Sequence, residues 1–274
     1  MPRIIILGTG TDVGKTYVTR QLACALASHP NSISVLVLKP IESGLANARP
    51  NDPPNLRERQ DDGDSNPTRH RLKLSLPTSD AELLAQSSTH PVGSELHAYA
   101  FPDATSPHLA ARRHNKTISL SHVAEWIASA EQSTASSLAL TIPSKRSPAL
   151  KPSQRCSWTL IETAGAVMTP LGRNLTNLDL AVRLEPAIWI LVAPDRLGVL
   201  HDLTATLCTM RHLGRIPDSL VLNAPEVSDP STGTNAAELG ELRIATVDAS
   251  LGRQSKFPKQ YVQKLFELAR TQGM

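Results

Sequence analysis

Lys15 and Thr16 are the residues near the amino terminus whose types and spacing most directly imply chemistry. They close the run Gly8-Thr9-Gly10-Thr11-Asp12-Val13-Gly14-Lys15-Thr16. A lysine and a hydroxyl behind a glycine-rich turn suit a polyphosphate carrying Mg²⁺: the ammonium meets the terminal phosphates and the hydroxyl ligates the metal. Gly10 and Gly14 leave room for the backbone to curl around phosphate oxygens. The first N–H groups of a following helix lack partners inside it, and the helix dipole adds positive potential at that end. The spacing is one residue longer than usual. Gly, four residues and then Gly-Lys-Thr would need glycine at position 9, where Thr9 stands; the outer glycine is Gly8.

Other chemistry-bearing residues sit where apolar runs end. Lys39 and Ser43 lie in Lys39-Pro40-Ile41-Glu42-Ser43-Gly44, directly after the run Ser32 to Leu38. Lys39 reads as a second cation and Ser43 as a hydrogen-bond partner for a substrate, although a loop lysine and a turn serine would look the same. Glu162 closes Trp158-Thr159-Leu160-Ile161-Glu162, the layout in which a strand-end carboxylate meets Mg²⁺ directly or through water. Small residues follow it, Thr163-Ala164-Gly165-Ala166, as a close backbone approach to a ligand requires. Asp80 falls in a helix start, with Ser79 as N-cap and Glu82 three residues on. Asp80 there either complements the helix dipole or faces the nucleotide as a metal ligand. Asn223, at the end of Ser219-Leu220-Val221-Leu222-Asn223, either reads an adenine edge or begins a turn. His108, after Pro107, is open to a ligand contact or a structural role.

These residues need elements that deliver them to one place. Ile4 to Leu7 reads as a buried strand, and Tyr17 to Ala27 as a helix with Leu22, Ala23, Leu26 and Ala27 on one side. Further strands are expected at 32–38, 158–162, 187–193, 219–223 and 243–247. Helices are expected from Pro107 to Arg113, Leu120 to Ala130, Val199 to Leu213 and Lys259 to Ala269. Such alternation predicts an α/β fold with a parallel sheet and helices on both faces, as in P-loop proteins, its ligands gathered at the carboxyl ends of the strands. No linker divides the chain, so residues 1–274 read as a single domain with surface insertions at 45–77 and 133–155. The Asp61-Asp62-Gly63-Asp64 cluster lacks the helices and terminal Glu of a calcium loop and reads as solvated charge.

Composition narrows the function classes. With 274 residues, 40% hydrophobic and 19% charged, the chain suits a globular protein with a substantial core. A net charge of +3 and only 3% aromatics argue against a nucleic-acid partner, since stacking platforms are scarce. Cys24, Cys156 and Cys208 form no CxxC pair and read as buried thiols in a reducing compartment. No run is long enough to span a bilayer and no cleavable leader stands at the amino end, so a cytoplasmic protein without membrane contact is expected.

The motifs taken together resemble the dethiobiotin synthetase family. Its phosphate loop has the same longer form, Gly-Thr-x-Thr-Asp/Glu-Val-Gly-Lys-Thr, and its Lys-Pro-x-x-Ser-Gly segment matches Lys39 to Gly44. Ser79-Asp80-Ala81, Thr105-Ser106-Pro107-His108, Glu162 to Ala166 with Thr169-Pro170-Leu171, and Asn223 follow in the family's order. The resemblance implies an ATP-dependent carboxylase that closes the ureido ring of dethiobiotin from 7,8-diaminononanoate and CO₂, with Mg²⁺ and ATP required. It implies Lys39, Lys15 and Thr11 as catalytic residues, and Thr11, Asp12, Lys39 and Ser43 at the diamine. Nucleotide contacts would fall to Asp12, Val13, Gly14, Lys15, Thr16, Tyr17, Asp80, Glu162, Gly165 and Asn223, and the metal to Thr16, Asp80 and Glu162. It also implies a homodimer in which a helix starting near Gly198-Val199-Leu200-His201 of the partner meets the substrate carboxylate. Departures from the pattern are Thr163 and Ala166 in place of glycines, His201 in place of Asn, Asp12 in place of Glu, and no Pro after Gly240-Glu241-Leu242. Two other readings share the loop: a regulatory ATPase of the ParA-like kind, which often carries an extra Lys early in the loop, and a non-catalytic paralogue. No Lys lies between Gly8 and Lys15.

Overall fold

The computed structural model describes residues 1–30, 33–45, 79–140, 157–253 and 255–274. In chain order the elements are β1 (Arg3–Gly8), α1 (Lys15–Ala27), β2 (Ser34–Leu38), β3 (Ile41–Ser43), α2 (Asp80–Ala85), β4 (Tyr99–Phe101), α3 (Pro107–Arg113) and α4 (Leu120–Leu140). They continue with β5 (Ser157–Glu162), β6 (Pro170–Gly172), β7 (Leu175–Thr176), α5 (Asn177–Arg183), β8 (Ile188–Pro194) and α6 (Val199–His212). The last are β9 (Ser219–Asn223), α7 (Asn235–Glu241), β10 (Ala249–Leu251) and α8 (Lys259–Thr271).

Six of the strands form one sheet in the order β10-β9-β8-β1-β5-β2, every neighbouring pair parallel. Parallel strands buried on both faces need continuous apolar runs, which is why Ile4-Ile5-Ile6-Leu7 carries no polar alternation. Alternate residues feed two cores. Ile4 and Ile6, with Trp158, Leu160 and Ile190, face α1 and α8 through Val18, Leu22, Leu26, Val262 and Leu265. Ile5 and Leu7, with Ile161, Leu191 and Leu222, face α3 to α7 through Ala110, Ile127, Leu180, Leu203 and Leu239. The molecule is therefore an α/β P-loop domain with helices on both faces of a parallel sheet, as the alternation predicts.

Three expectations are corrected. The segment 133–140 is not loop: α4 runs on to Leu140. Thr134 donates to the Ala130 carbonyl, and Ser136 and Ser137 donate to those of Gln132 and Ser133, so hydroxyls that carry no apolar period are satisfied within the helix. The segment 243–247 is not a strand. Arg243 takes φ 53° just past the end of α7, and Ile244 donates its N–H back to Leu239, so Ile244 and Val247 pack beneath the helix without pairing. The sixth strand is β10, starting at Ala249. Cys24 and Cys208 are free thiols but exposed, not buried. The Asp61–Asp64 cluster, the remainder of the insertions (46–77 and 141–155) and Cys156 lie outside the described residues. Among the described residues, no helix is long and apolar enough to cross a membrane.

Candidate functional site

Strand register assembles the site. Ile6 of β1 pairs with Glu162 of β5, and Leu38 of β2 pairs with Ile161. One residue further on, Lys39 leaves its strand beside Glu162, at the neighbour spacing of about 4.8 Å that a sheet imposes. The loop after β1 rises between β5 and β8 at the same end, where ligands of open parallel sheets collect. Asn223, at the tip of β9, pairs with Pro194 of β8. The distant segments 8–16, 39–43, 162–166 and 223 thus share one face without any long-range design beyond register.

Glu162 is the centre of the polar cluster and is fully buried. Its Oε1 accepts from Thr16 Oγ1 at 2.9 Å and from Lys39 Nζ at 3.0 Å, and its Oε2 accepts from Thr19 Oγ1 at 3.0 Å. Lys39, 7% exposed, also donates to Asp80 Oδ2, so one ammonium joins two carboxylates. Burial alone would lower the Lys39 pKa, but the charges of Glu162 and Asp80 outweigh it and hold the ammonium above its ordinary range. Asp80 and Glu162 therefore meet at the Lys39 ammonium.

Gly14 begins α1 at φ 90°, no side chain caps that end, and the first turn holds no acidic residue. Its N–H groups are left to an anion. A Cβ at Gly14 would lie 2.0 Å from Asn223 Nδ2, so glycine is required by both conformation and space. Asn223 Nδ2 in turn donates to the Val13 carbonyl at 3.4 Å, and Val13 is buried in the core beneath the loop. Thr11 and Asp12 are exposed at the loop's crest, Asp12 with φ 57°. Thr9 Oγ1 is buried with no hydrogen-bond partner among the described residues, which a bound anion would remedy. The Tyr17 hydroxyl donates to the Gly252 carbonyl at 3.0 Å, tying α1 to the end of β10.

Behind Glu162, Thr163 stands where the resemblance expects a glycine. Thr163 is buried and donates to the Ile6 carbonyl at 3.0 Å, so its side chain is taken up by the sheet. Asn177 Nδ2 donates to the carbonyls of Ala164 and Ala166 at 2.5 and 2.8 Å and fixes the turn between them. Gly165 has φ 75°, and a Cβ there would meet Thr169 Oγ1 at 2.6 Å. Ser43 donates to the Thr105 carbonyl at 2.6 Å, which leaves its lone pairs to accept from an ammonium. His108 Nδ1 lies 3.0 Å from Ser106 Oγ, within its own helix start. His201 is exposed on the first turn of α6.

Sequence reasoning missed four participants. Thr19 lies one helical turn after Thr16 on the same face, so the spacing alone could have found it. Glu42 stood inside a recognised segment with no role assigned. Asn177 and His97 carry no periodic or motif signal. The oxygen donors Thr16, Asp80 and Glu162 fit Mg²⁺, which takes one or two carboxylates and fills its other positions with phosphate oxygens and water. Among the described residues no group of three His, Cys, Asp or Glu forms a closed metal cage.

Lys15 reports on the site's electrostatics. It is 6% exposed and donates to the Gly10 carbonyl at 2.9 Å. Burial pushes its pKa down from 10.5 to about 8, Glu162 opposing that and Lys39 adding to it. The folded protein then holds this proton less tightly than the unfolded chain, so stability rises with pH between about 8 and 10.5. Lys39, held above 10.5, stays charged across that window. Urea unfolding of the nucleotide-free protein should show a gain of about 3 kcal/mol across it, absent in Lys15→Met. Parallel stability curves for the two proteins would mean that Lys15 is not desolvated.

The family model of the AAA domain matches residues 2–250. The chain belongs to that family. Among curated proteins it is similar to an ATP-dependent dethiobiotin synthetase of Anaeromyxobacter sp. (strain Fw109-5), 26% identical over 245 residues, which span 88% of this chain and 86% of that protein. It is likewise similar to an ATP-dependent dethiobiotin synthetase of Sulfurovum sp. (strain NBC37-1), 29% identical over 220 residues, with 78% and 77% covered. A solved ParA family ATPase from Chlorobium tepidum TLS is 12% identical, with a TM-score of 0.43 over 98% of this chain and 91% of that one.

Proposed function

We propose that this protein is a dethiobiotin synthetase, a cytoplasmic homodimer that uses Mg²⁺ and ATP to carboxylate 7,8-diaminononanoate and close its ureido ring. One amine adds to CO₂ to form a carbamate; a carbamate oxygen takes the γ-phosphoryl group of ATP, releasing ADP. The second amine then attacks the carbonyl carbon, and phosphate leaves as the ring closes. The observation that carries this reading is the pairing of a phosphate loop with a second buried lysine, Lys39, at the tip of the next strand but one. An ATPase needs Lys15; a reaction that joins two anions, carbamate and phosphoryl, needs a second cation beside it.

The roles follow from the chemistry. The α1 N–H groups and Lys15 take the phosphates, and Asn223 takes the adenine edge. Thr16, Asp80 and Glu162 would hold Mg²⁺, which supplies neutralisation of charge on the phosphates. Ser43, Thr11 and Asp12 accept from the diamine, and Lys39 faces the carbamate oxygens. Most of the acceleration is positioning and charge neutralisation. The partner's α6, starting near Gly198, would take the far carboxylate.

Incubation with Mg²⁺, ATP, bicarbonate and the diamine, following ADP and the cyclic urea, tests this directly. ADP should appear only with the diamine present and match the urea in amount. Turnover without diamine would identify a switch ATPase, and no turnover a binding-only paralogue; either result ends the proposal.

A further inference from the structure

Glu42 is a charged side chain that the proposed reaction leaves unused, yet it is 7% exposed and close to the centre of the cluster. It stands on β3, which pairs in parallel with β4, Glu42 opposite Ala100. Its Oε1 accepts from the backbone N–H of Asp80 at 2.8 Å. Its Oε2 accepts from the N–H of Ala81 at 3.1 Å and lies 2.7 Å from His97 Nε2. His97 is itself held just ahead of β4, because Ala98 and Tyr99 both donate to the Pro40 carbonyl, at 2.9 and 3.0 Å.

The unpaired N–H groups at the start of α2 explain why the carboxylate is there. The helix has six residues, too few to hold itself. Of its first four N–H groups, Glu42 takes those of Asp80 and Ala81, Ser79 Oγ takes that of Glu82, and the Ser79 carbonyl takes that of Leu83. Asp80 therefore hangs from a helix end whose first two donors are fixed by one buried side chain. Burial opposes its ionisation, but His97, Lys39 and the two N–H groups overcome that and keep the Glu42 carboxyl below its usual range, so it stays an acceptor.

We propose that Glu42, steadied by His97, is a positioning residue that fixes the Asp80 carboxylate for its share of the Mg²⁺. The inference rests on the metal role given to Asp80 above. Outer partners of this kind typically change metal affinity by about 10- to 100-fold when removed. Glutamine is the sharpest replacement: it keeps size and one acceptor, but turns an NH₂ toward a backbone N–H that needs an oxygen.

The test is calorimetric titration of Mg²⁺ into full-length protein saturated with a non-hydrolysable ATP analogue. Glu42→Gln should weaken Mg²⁺ binding about 10- to 100-fold while leaving analogue affinity in EDTA as in the wild type. His97→Gln should cause a smaller loss in the same direction, and it serves as the variant of record if thermal unfolding shows that Glu42→Gln does not fold. Because Glu42 acts through Asp80, adding Glu42→Gln to Asp80→Asn should change Mg²⁺ affinity by less than about twofold. Wild-type Mg²⁺ affinity in both single variants, or losses that simply add in the double variant, would overturn the inference and leave the metal reading standing. A wild-type protein whose analogue binding ignores Mg²⁺ would overturn both.

Discussion

Lys39→Ala should cut diamine-dependent turnover on the order of 10²- to 10³-fold or more, since it removes a preorganised charge from the reacting anions. Nucleotide binding should survive, because Lys15 and the start of α1 are untouched. The same change should not be silent for stability. It strands Glu162, which is fully buried, and strips Asp80 of its counter-charge. Breaking a buried ion pair by removing one partner costs about 3–5 kcal/mol. Thr16 and Thr19 still donate to Glu162, which places this case at the lower end. Adding Glu162→Gln to Lys39→Ala should recover part of the stability and none of the turnover. Chemical denaturation and steady-state assay on the two variants separate these effects. Near-normal ring closure by Lys39→Ala would remove the residue from the mechanism.

Gly14→Ala is expected to be the most damaging added methyl among the described glycines. The backbone there has φ 90°, a region that costs a side-chain-bearing residue about 1–3 kcal/mol. The added Cβ also lands 2.0 Å from Asn223 Nδ2. Either the loop or Asn223 must move, and both are proposed nucleotide contacts. ATP affinity should fall about 100-fold or more, equivalent to about 2.7 kcal/mol. Gly14→Ala combined with Asn223→Ala relieves the clash but not the dihedral strain, so affinity should return only in part. Affinity for the single variant within twofold of wild type would show that the loop closes on nucleotide in another conformation.

Much of this site is legible from residue order because P-loop chemistry is local. Gly14, Lys15 and Thr16 act from one strand–turn–helix unit, and Lys39 and Glu162 declare themselves by ending apolar runs. Parallel register then does the rest. What stayed hidden is the part that depends on side chains reaching across elements. His97 meets Glu42 only because β3 and β4 pair, and Asn177 meets Ala164 and Ala166 only because α5 begins beneath that turn. Neither contact leaves a periodic trace. The serine-rich end of α4 misled for the opposite reason: hydroxyls that bond back to their own helix look like loop composition on paper. The short β10 is displaced from the expected 243–247 because Ile244 and Val247 are apolar for packing, not for pairing.

Two of the three N–H donors of the Lys39 ammonium go to Asp80 and Glu162. A second cation between those acids would release both donors to an outside anion. If the proposed function holds, nucleotide with its divalent cation would then load ahead of the acidic co-substrate, and the internal counter-ion would double as a sequencing device.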